Sequence, residues 1–397
     1  MKSINWIIVR SKDRGSEYGV GTFVKHFCEG LKQQPHIRII ILKTGTPFVD
    51  EFSSYTQDGI LYMQFPNMGL DKLHDTLSNQ VKIGRSIARL VKLHLPPADE
   101  NIIHLQFAYQ YFVAKEITEL IKSKVIFTLH IAPPEDVAVS NNFDLDKHLF
   151  KLADHIVSVT DNGYNHLLKK GAPPEKITRI YNGISTDYFK NKNNTDAVLA
   201  KYDLDKHDKI ILYSGRIDSL KGINQLVKAF TIITKKYPDC KLVFAGNGSF
   251  EKLIGYAQPV SSKVIYLGFI PTEDLLVLYQ QATIGVIPSL NEECSYVALE
   301  MLFSGLPTIA SKIGGLKEIF DHNKDGLLVN VQTSNPEQPL KQDIEKLADA
   351  MSHLLTNRDL CRRLSIKAQQ KAARQFTAEI MIDNYIQLLN TQTTYGN

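Results

Sequence analysis

Short β-branched apolar runs recur along the chain, each followed by a longer stretch whose apolar residues fall three or four apart. In the first half the runs are Trp6 to Arg10, Ile37 to Lys43, Ile60 to Phe65, Ile102 to Phe107, Val125 to His130, Ile156 to Thr160 and Ile177 to Asn182. A polar linker near Lys190 to Thr195 interrupts the pattern. It restarts with Ile210 to Ser214, Leu242 to Gly246, Val264 to Phe269, Ile284 to Pro288, Thr308 to Ser311 and Gly326 to Val329. Strands alternating with helices predict parallel sheets covered on both faces. The expected fold is therefore α/β, with two Rossmann-like domains at residues 1–195 and 196–375 facing across a cleft. Ligands of such sheets bind outside the carboxyl ends of the strands, which makes that cleft the expected site.

Composition agrees with a soluble globular chain: 397 residues give room for two cores, with 43% hydrophobic and 22% charged residues. A net charge of +4 is too slight to point to nucleic acid as a partner. Cys28, Cys240, Cys294 and Cys361 are scattered without a Cys-x-x-Cys pair, as expected of reduced thiols rather than a disulfide framework or a zinc site. The run from Trp6 to Val9 is shorter than a signal-peptide core and is followed by Arg10, Lys12, Asp13 and Arg14, so no cleavable signal is expected. No apolar run approaches the roughly 20 residues of a membrane span. The expected location is the cytoplasm. Residues Val81 to Leu95 read as a basic amphipathic helix, with Ile83, Ile87 and Leu90 on one stripe beside Lys82, Arg85, Arg89 and Lys92. It either packs on the sheet with a solvated basic face, the favoured reading, or touches the inner face of an anionic membrane.

Candidate chemistry gathers at strand ends. After the run at Ile284 to Pro288, Glu292 falls in a loop and Glu300 inside a helix predicted over Tyr296 to Ser304, with Ser295 as N-cap and Gly305 at the stop. Helical rise places the two carboxylates about 10 Å apart along one ligand, a spacing suited to a polyhydroxylated molecule. The helix start between them offers free N–H groups to a phosphate. Gly215 and Arg216 follow another strand, and Lys221 and Gly222 precede the next helix. Arginine brings a planar fork and lysine a point charge, which together can neutralise a diphosphate without a metal. Gly19 and Gly21 open the first strand-to-helix loop, but the position three after Gly21 is Val24 and the second strand ends on Lys43 where an NAD enzyme needs an acid. A dehydrogenase is thereby set aside. His104 and His130 each end a strand on the side expected to face the cleft.

Over nearly its whole length the chain resembles the retaining glycosyltransferases of family 4, which have the GT-B architecture, and in its second half the resemblance is specific. The resemblance rests on Gly215-Arg216 with Lys221-Gly222, Gly246 with Gly248, Leu267-Gly268, the Glu292 and Glu300 pair, Gly314-Gly315 with Glu318, and Asp325-Gly326. It implies transfer of a sugar from a nucleoside diphosphate donor, a UDP-sugar first, to a hydroxyl of a saccharide, lipid-linked or peptide acceptor. No cofactor and no metal are implied. Arg216 and Lys221 would bind the diphosphate, Glu300 the ribose hydroxyls, Phe269 or Ile270 the base and Glu292 the transferred sugar. Cys294, Ser295, Tyr296 and Val297 would complete the donor loop, Gly19 and Gly21 would close over the phosphates, and His130 would sit by sugar and acceptor. Catalysis would thus rest on His130, Glu292, Arg216 and Lys221. A C-terminal helix at about residues 376–397 would cross back to brace the first domain. The family's usual Glu-Pro-Phe-Gly is Glu292-Glu293-Cys294-Ser295 here, its paired glycines are Tyr18-Gly19, and its aspartate after the strand-end histidine is Ile131. The Asp144 and Asp146 pair, like Asp203 and Asp205, has the form of a metal-holding motif of other sugar transferases but lies in polar linkers, as turns or helix caps do. A phosphorylase and a non-catalytic nucleotide-sugar sensor are the alternatives.

Overall fold

The computed structural model describes residues 2–11, 19–46, 49–67, 77–130, 144–190 and 193–390. The chain divides into two compact units, one of residues 1–182 with 378–397 and one of residues 183–377. The division falls ahead of the polar linker expected near Lys190 to Thr195, and local packing explains it. Ile184 donates its N–H to Phe376 O at 2.8 Å, and Phe189 stacks on Phe303 with ring centroids 5.3 Å apart. These contacts draw the residues before the linker into the second unit.

The first unit carries β1 (Ile4–Ser11), β2 (Ile37–Thr46), β3 (Ser53–Gln57), β4 (Ile60–Pro66), β5 (Glu100–Leu105), β6 (Lys124–Leu129), β7 (His155–Ser158) and β8 (Ile177–Arg179). Its sheet runs β3-β4-β2-β1-β5-β6-β7-β8 and is parallel except for β3, which pairs antiparallel with β4. Strand β3 was not expected, because Ser53, Ser54, Thr56 and Gln57 are polar; it is an edge strand lying almost wholly in solvent. The helices are α1 (Val20–Leu31), α2 (Leu77–His94), α3 (Tyr111–Leu120), α4 (Leu145–Leu152) and α5 (Asp161–Lys169).

Helix α2 begins a turn before the predicted span and packs through Ile87, Ala88 and Val91. A Cβ on Gly84 would stand 2.5 Å from the Phe112 carbonyl oxygen, so α2 and α3 meet backbone to backbone. Arg85 is drawn out of the basic face by Glu116, whose buried carboxylate accepts from its Nε at 3.1 Å. Asp144 caps α4 by accepting from Lys147 N, and Asp205 accepts from His207 N within a turn. Both acidic pairs are thus backbone devices, as a turn or cap reading expects.

The second unit carries β9 (Lys209–Ser214), β10 (Cys240–Ala245), β11 (Val264–Gly268), β12 (Ile284–Ile287), β13 (Thr308–Ser311) and β14 (Leu327–Val329), all parallel, in the order β11-β10-β9-β12-β13-β14. Its helices are α6 (Thr195–Lys201), α7 (Ile223–Lys236), α8 (Phe250–Ala257), α9 (Thr272–Gln281), α10 (Tyr296–Ser304), α11 (Leu316–Ile319), α12 (Lys341–Thr356) and α13 (Arg358–Gln375). The order reverses between β9 and β12. A switch point of this kind opens a crevice at the strand ends, where doubly wound sheets take their ligands.

The last helix, α14 (Ala378–Asn390), belongs to the first unit. It fits against α1 because Gly30 has no side chain: a Cβ there would stand 2.6 Å from Ile382 Cγ1. Tyr385, fully buried, lies beside Trp6, Phe27 and His104. Burying each large side chain of such a cluster contributes about 1.5–3 kcal/mol.

Candidate functional site

At the switch point of the second sheet the loops after five strands are stitched together by their backbones. Gly246 N donates to Gly268 O at 2.7 Å, Gly215 N to Ala245 O at 2.9 Å, Leu290 N to Leu220 O at 2.8 Å and Gly315 N to Glu292 O at 3.0 Å. Glycines let these loops approach closely. A Cβ on Gly222 would lie 1.9 Å from Pro288 O, and one on Gly314 would lie 2.0 Å from Glu292 O. Gly222 also has φ +71°, a left-handed conformation that ends one turn and starts α7.

This stitching brings Lys221 to Glu292: Nζ stands 2.5 Å from Oε1, and both side chains are mostly buried at 19% and 15% exposure. Ser289 Oγ donates to the same oxygen at 3.0 Å. The sequence placed Lys221 on a phosphate and Glu292 on a sugar as separate contacts; the fold pairs them. Together they are close to neutral, and Arg216 brings a second cation to the same loop, itself facing a carboxylate. Its guanidinium is more exposed at 60% and lies 3.6 Å from Asp218. The loop beneath it is held by Tyr213, whose hydroxyl donates to Arg216 O at 2.5 Å.

Helix α10 spans the predicted residues. Ser295 accepts from Ala298 N at 3.4 Å as its N-cap, and Gly305 closes it at φ +67°. Cys294, Ser295, Tyr296 and Glu300 are buried and Val297 is half-buried, with Val297 Cγ2 packed 3.8 Å from where a Gly215 Cβ would be. Ile270 is buried, whereas Phe269 is 49% exposed just past β11.

Two partners of Glu300 had escaped the sequence reading. Tyr279 of α9 donates to Oε2 at 2.7 Å, and Tyr188, in the turn Thr186–Phe189, donates to Oε1 at 3.1 Å. The Tyr279 oxygen also lies 2.9 Å from Ser214 Oγ at the end of β9. A tyrosine set among leucines needs a partner for its hydroxyl when buried, and that was the one available signal for Tyr279. Tyr188 carried none.

In the first unit the two strand-end histidines part company. His104 is fully buried: Trp6 Nε1–H donates to its Nδ1 at 3.3 Å, and its Nε2 meets Thr128 Oγ1 at 2.8 Å, which in turn meets Tyr385 OH at 2.8 Å. Burial, followed by the neighbouring His130, holds it well below the ordinary imidazole pKa. It is a scaffold residue, contrary to its expected place facing a cleft. His130 directly follows β6 and is half-buried, its ring 4.5 Å from Phe23 and its Nε2 2.6 Å from Gln106 Oε1. With Nε2–H donated to the amide, Nδ1 is left as the acceptor. Burial pushes its pKa down to about 3, so the ring stays neutral at ordinary pH. Gly19 alone of the expected pair needs glycine, at φ +59° and exposed; Gly21 falls in the first turn of α1 as an ordinary helical residue. Tyr18, Ile131 and the prolines after it lie outside the described residues.

Two family models match, Glycosyltransferase Family 4 over residues 18–188 and Glycosyl transferases group 1 over residues 194–371. The chain belongs to the family 4 glycosyltransferases. An uncharacterized glycosyltransferase of Methanocaldococcus jannaschii is 36% identical over 163 residues, 40% of this chain and 42% of that protein. Alpha-D-kanosaminyltransferase of Streptomyces kanamyceticus is 27% identical over 241 residues, 58% of this chain and 59% of that protein. The chain spans about half the length of the curated relatives it matches. Among solved structures, sucrose-phosphate synthase from Thermosynechococcus elongatus matches with a TM-score of 0.75 at 20% identity, over 100% of both chains. The Anabaena protein HepE in complex with UDP and glucose matches with a TM-score of 0.73 at 16% identity, over 98% of this chain and 100% of that one. At these identities the likeness is one of fold, and that fold is GT-B. The family 4 chain brings Gly215, Lys221, Gly222, Glu292 and Gly314 together at the switch point of its second unit, sets Asp325-Gly326 ahead of β14 where Asp325 pairs with Lys371, and places His130 at a strand end of its first.

Proposed function

We propose that the chain transfers a sugar from a nucleoside diphosphate to a hydroxyl acceptor, with retention of anomeric configuration. The observation that carries this is the Lys221–Glu292 pair with Arg216 beside it at the β9/β12 switch point. Negative charge builds on the diphosphate as the bond from the anomeric carbon to its oxygen breaks. Arg216, Lys221 and the N-termini of α7 and α10 are fixed dipoles and charges that lower that barrier. The acceptor oxygen then bonds to the same face of the sugar, and its proton passes to the departing phosphate oxygen. Neutral His130 receives a sugar or acceptor hydroxyl on Nδ1. The acceptor is a saccharide, a lipid-linked saccharide or a peptide.

UDP is the first donor nucleotide to try, because HepE, a neighbour in fold, is seen with UDP and with UDP-glucose. A thermal-shift panel of UDP-, GDP- and ADP-sugars tests it, since a ligand at 100 times its dissociation constant adds roughly 2.7 kcal/mol of apparent stability. Arg216→Ala and Lys221→Ala should each lower donor turnover on the order of 10² or more. Rates within about threefold of the parent overturn the assignment.

We place the chain in the cytoplasm, with the exposed Lys82, Arg89 and Lys92 face of α2 as the part able to meet an anionic membrane. No described helix is long and apolar enough to cross one. Flotation with liposomes with and without anionic lipid checks this: recovery that ignores the lipid charge removes the membrane contact.

A further inference from the structure

Glu300 is 7% exposed, a depth at which an ionised carboxylate is costly unless donors surround it. Its two oxygens are met by two phenols from elements far apart in sequence, Tyr188 on Oε1 and Tyr279 on Oε2. Neither phenol is loosely placed. Helix α9, which carries Tyr279, is tied down at its first turn by Asp274, which accepts from Asn193 at 2.5 Å, Lys201 at 2.7 Å and Tyr202 at 2.6 Å. The turn carrying Tyr188 is held by Phe189 on Phe303 and by Ile184 on Phe376. Burial first, and then the Glu300 charge, raise both phenols above the ordinary tyrosine pKa, so they remain donors throughout the working pH range.

We propose that Tyr188 and Tyr279 are positioning residues that orient the Glu300 carboxylate to receive the vicinal 2′- and 3′-hydroxyls of a ribose, and so set how strongly the chain prefers a ribonucleotide. This rests on the proposed nucleoside diphosphate donor. A carboxylate has two acceptor sites on each oxygen, so a phenol on each oxygen steers its rotation while taking one site of the two. A ribose diol presents two parallel donors and needs both oxygens in its plane at once. Losing either phenol removes one of the bonds that set the carboxylate in that plane.

The test takes the full chain and whichever of UDP, GDP and ADP stabilises it most, together with the 2′,3′-dideoxy form of that nucleotide. Calorimetry then gives both affinities for the parent, for Tyr188→Phe and for Tyr279→Phe. The parent should favour the ribonucleotide by at least about tenfold, and each phenylalanine should erode affinity for it about tenfold while leaving the dideoxy form within about twofold. An equal loss on both nucleotides overturns the positioning role alone, since a general structural defect cannot read the ribose. A parent that binds both forms equally overturns the ribose role of Glu300, and a parent that binds no nucleoside diphosphate overturns the donor reading; the inference falls with either. Tyr188 sits on a half-exposed turn, so Tyr188→Phe keeps the test valid if Tyr279→Phe does not fold.

Discussion

The strand ends of the two units carry opposite kinds of polarity. In the second, charge is assembled across long sequence separations: Lys221 reaches Glu292, and Glu300 gathers phenols from two other elements. In the first, the two strand-end histidines are neutral and sit among aromatic rings, His104 against Trp6, Phe27 and Tyr385, His130 against Phe23. The two sets of strand ends are thus suited to different tasks. Fixed charge is worth most where a diphosphate must be stabilised as it leaves. Neutral donors and acceptors in an aromatic setting suit hydroxyl groups, whose orientation matters more than their charge.

Moving charge out of place in the second unit should have the largest effect. Gly222→Ala would drive a Cβ into Pro288 O and strain a residue at φ +71°, shifting the loop that carries Lys221. Displacements of this size cost on the order of 10² in turnover, and initial rates at saturating donor measure it. Within the first unit, Gly84→Ala puts a methyl 2.5 Å from a backbone carbonyl where α2 meets α3. It should destabilise by about 1–3 kcal/mol in denaturant unfolding while leaving the turnover of folded molecules unchanged. A turnover loss in step with stability would break the separation between scaffold and site.

The histidines predict a pH effect with a definite sign. Unfolded imidazoles take a proton near pH 6.5, whereas folded His130 does so only near 3 and His104 well below 6.5. Between those values the unfolded chain binds more protons, so the stability from burying neutral rings is complete above pH 6.5 and is lost as pH falls toward 3. Denaturation midpoints taken from pH 7 down to 5 should fall, and His130→Asn should flatten that fall; equal slopes contradict it. The smallest effect belongs to Tyr385→Phe, which removes one hydrogen bond to Thr128 and should cost about 1 kcal/mol, read from the same curves.

Much of the second unit could be read in the sequence because its signals are local. Ser295 and Gly305 bracket α10 by capping chemistry within a few residues, and Gly222 marks a left-handed turn by its identity. Contacts at a distance were not legible. Tyr188 and Glu300 are separated by 112 residues, and nothing in the pattern around Tyr188 sets it apart from a surface tyrosine. His104 and His130 looked alike as strand ends, because His104 is buried by distant residues: Trp6 of β1 and Tyr385 of α14 close over it. Strand β3 escaped because an edge strand in solvent needs no apolar face.

Titration calorimetry with UDP and with uridine asks whether the switch point of the second unit holds a diphosphate. The parent should bind UDP well and uridine weakly, and Lys221→Ala and Arg216→Ala should each lower UDP affinity about tenfold or more while leaving uridine affinity within about twofold. UDP affinity unchanged in both variants, or a parent that binds uridine as tightly as UDP, would contradict the account.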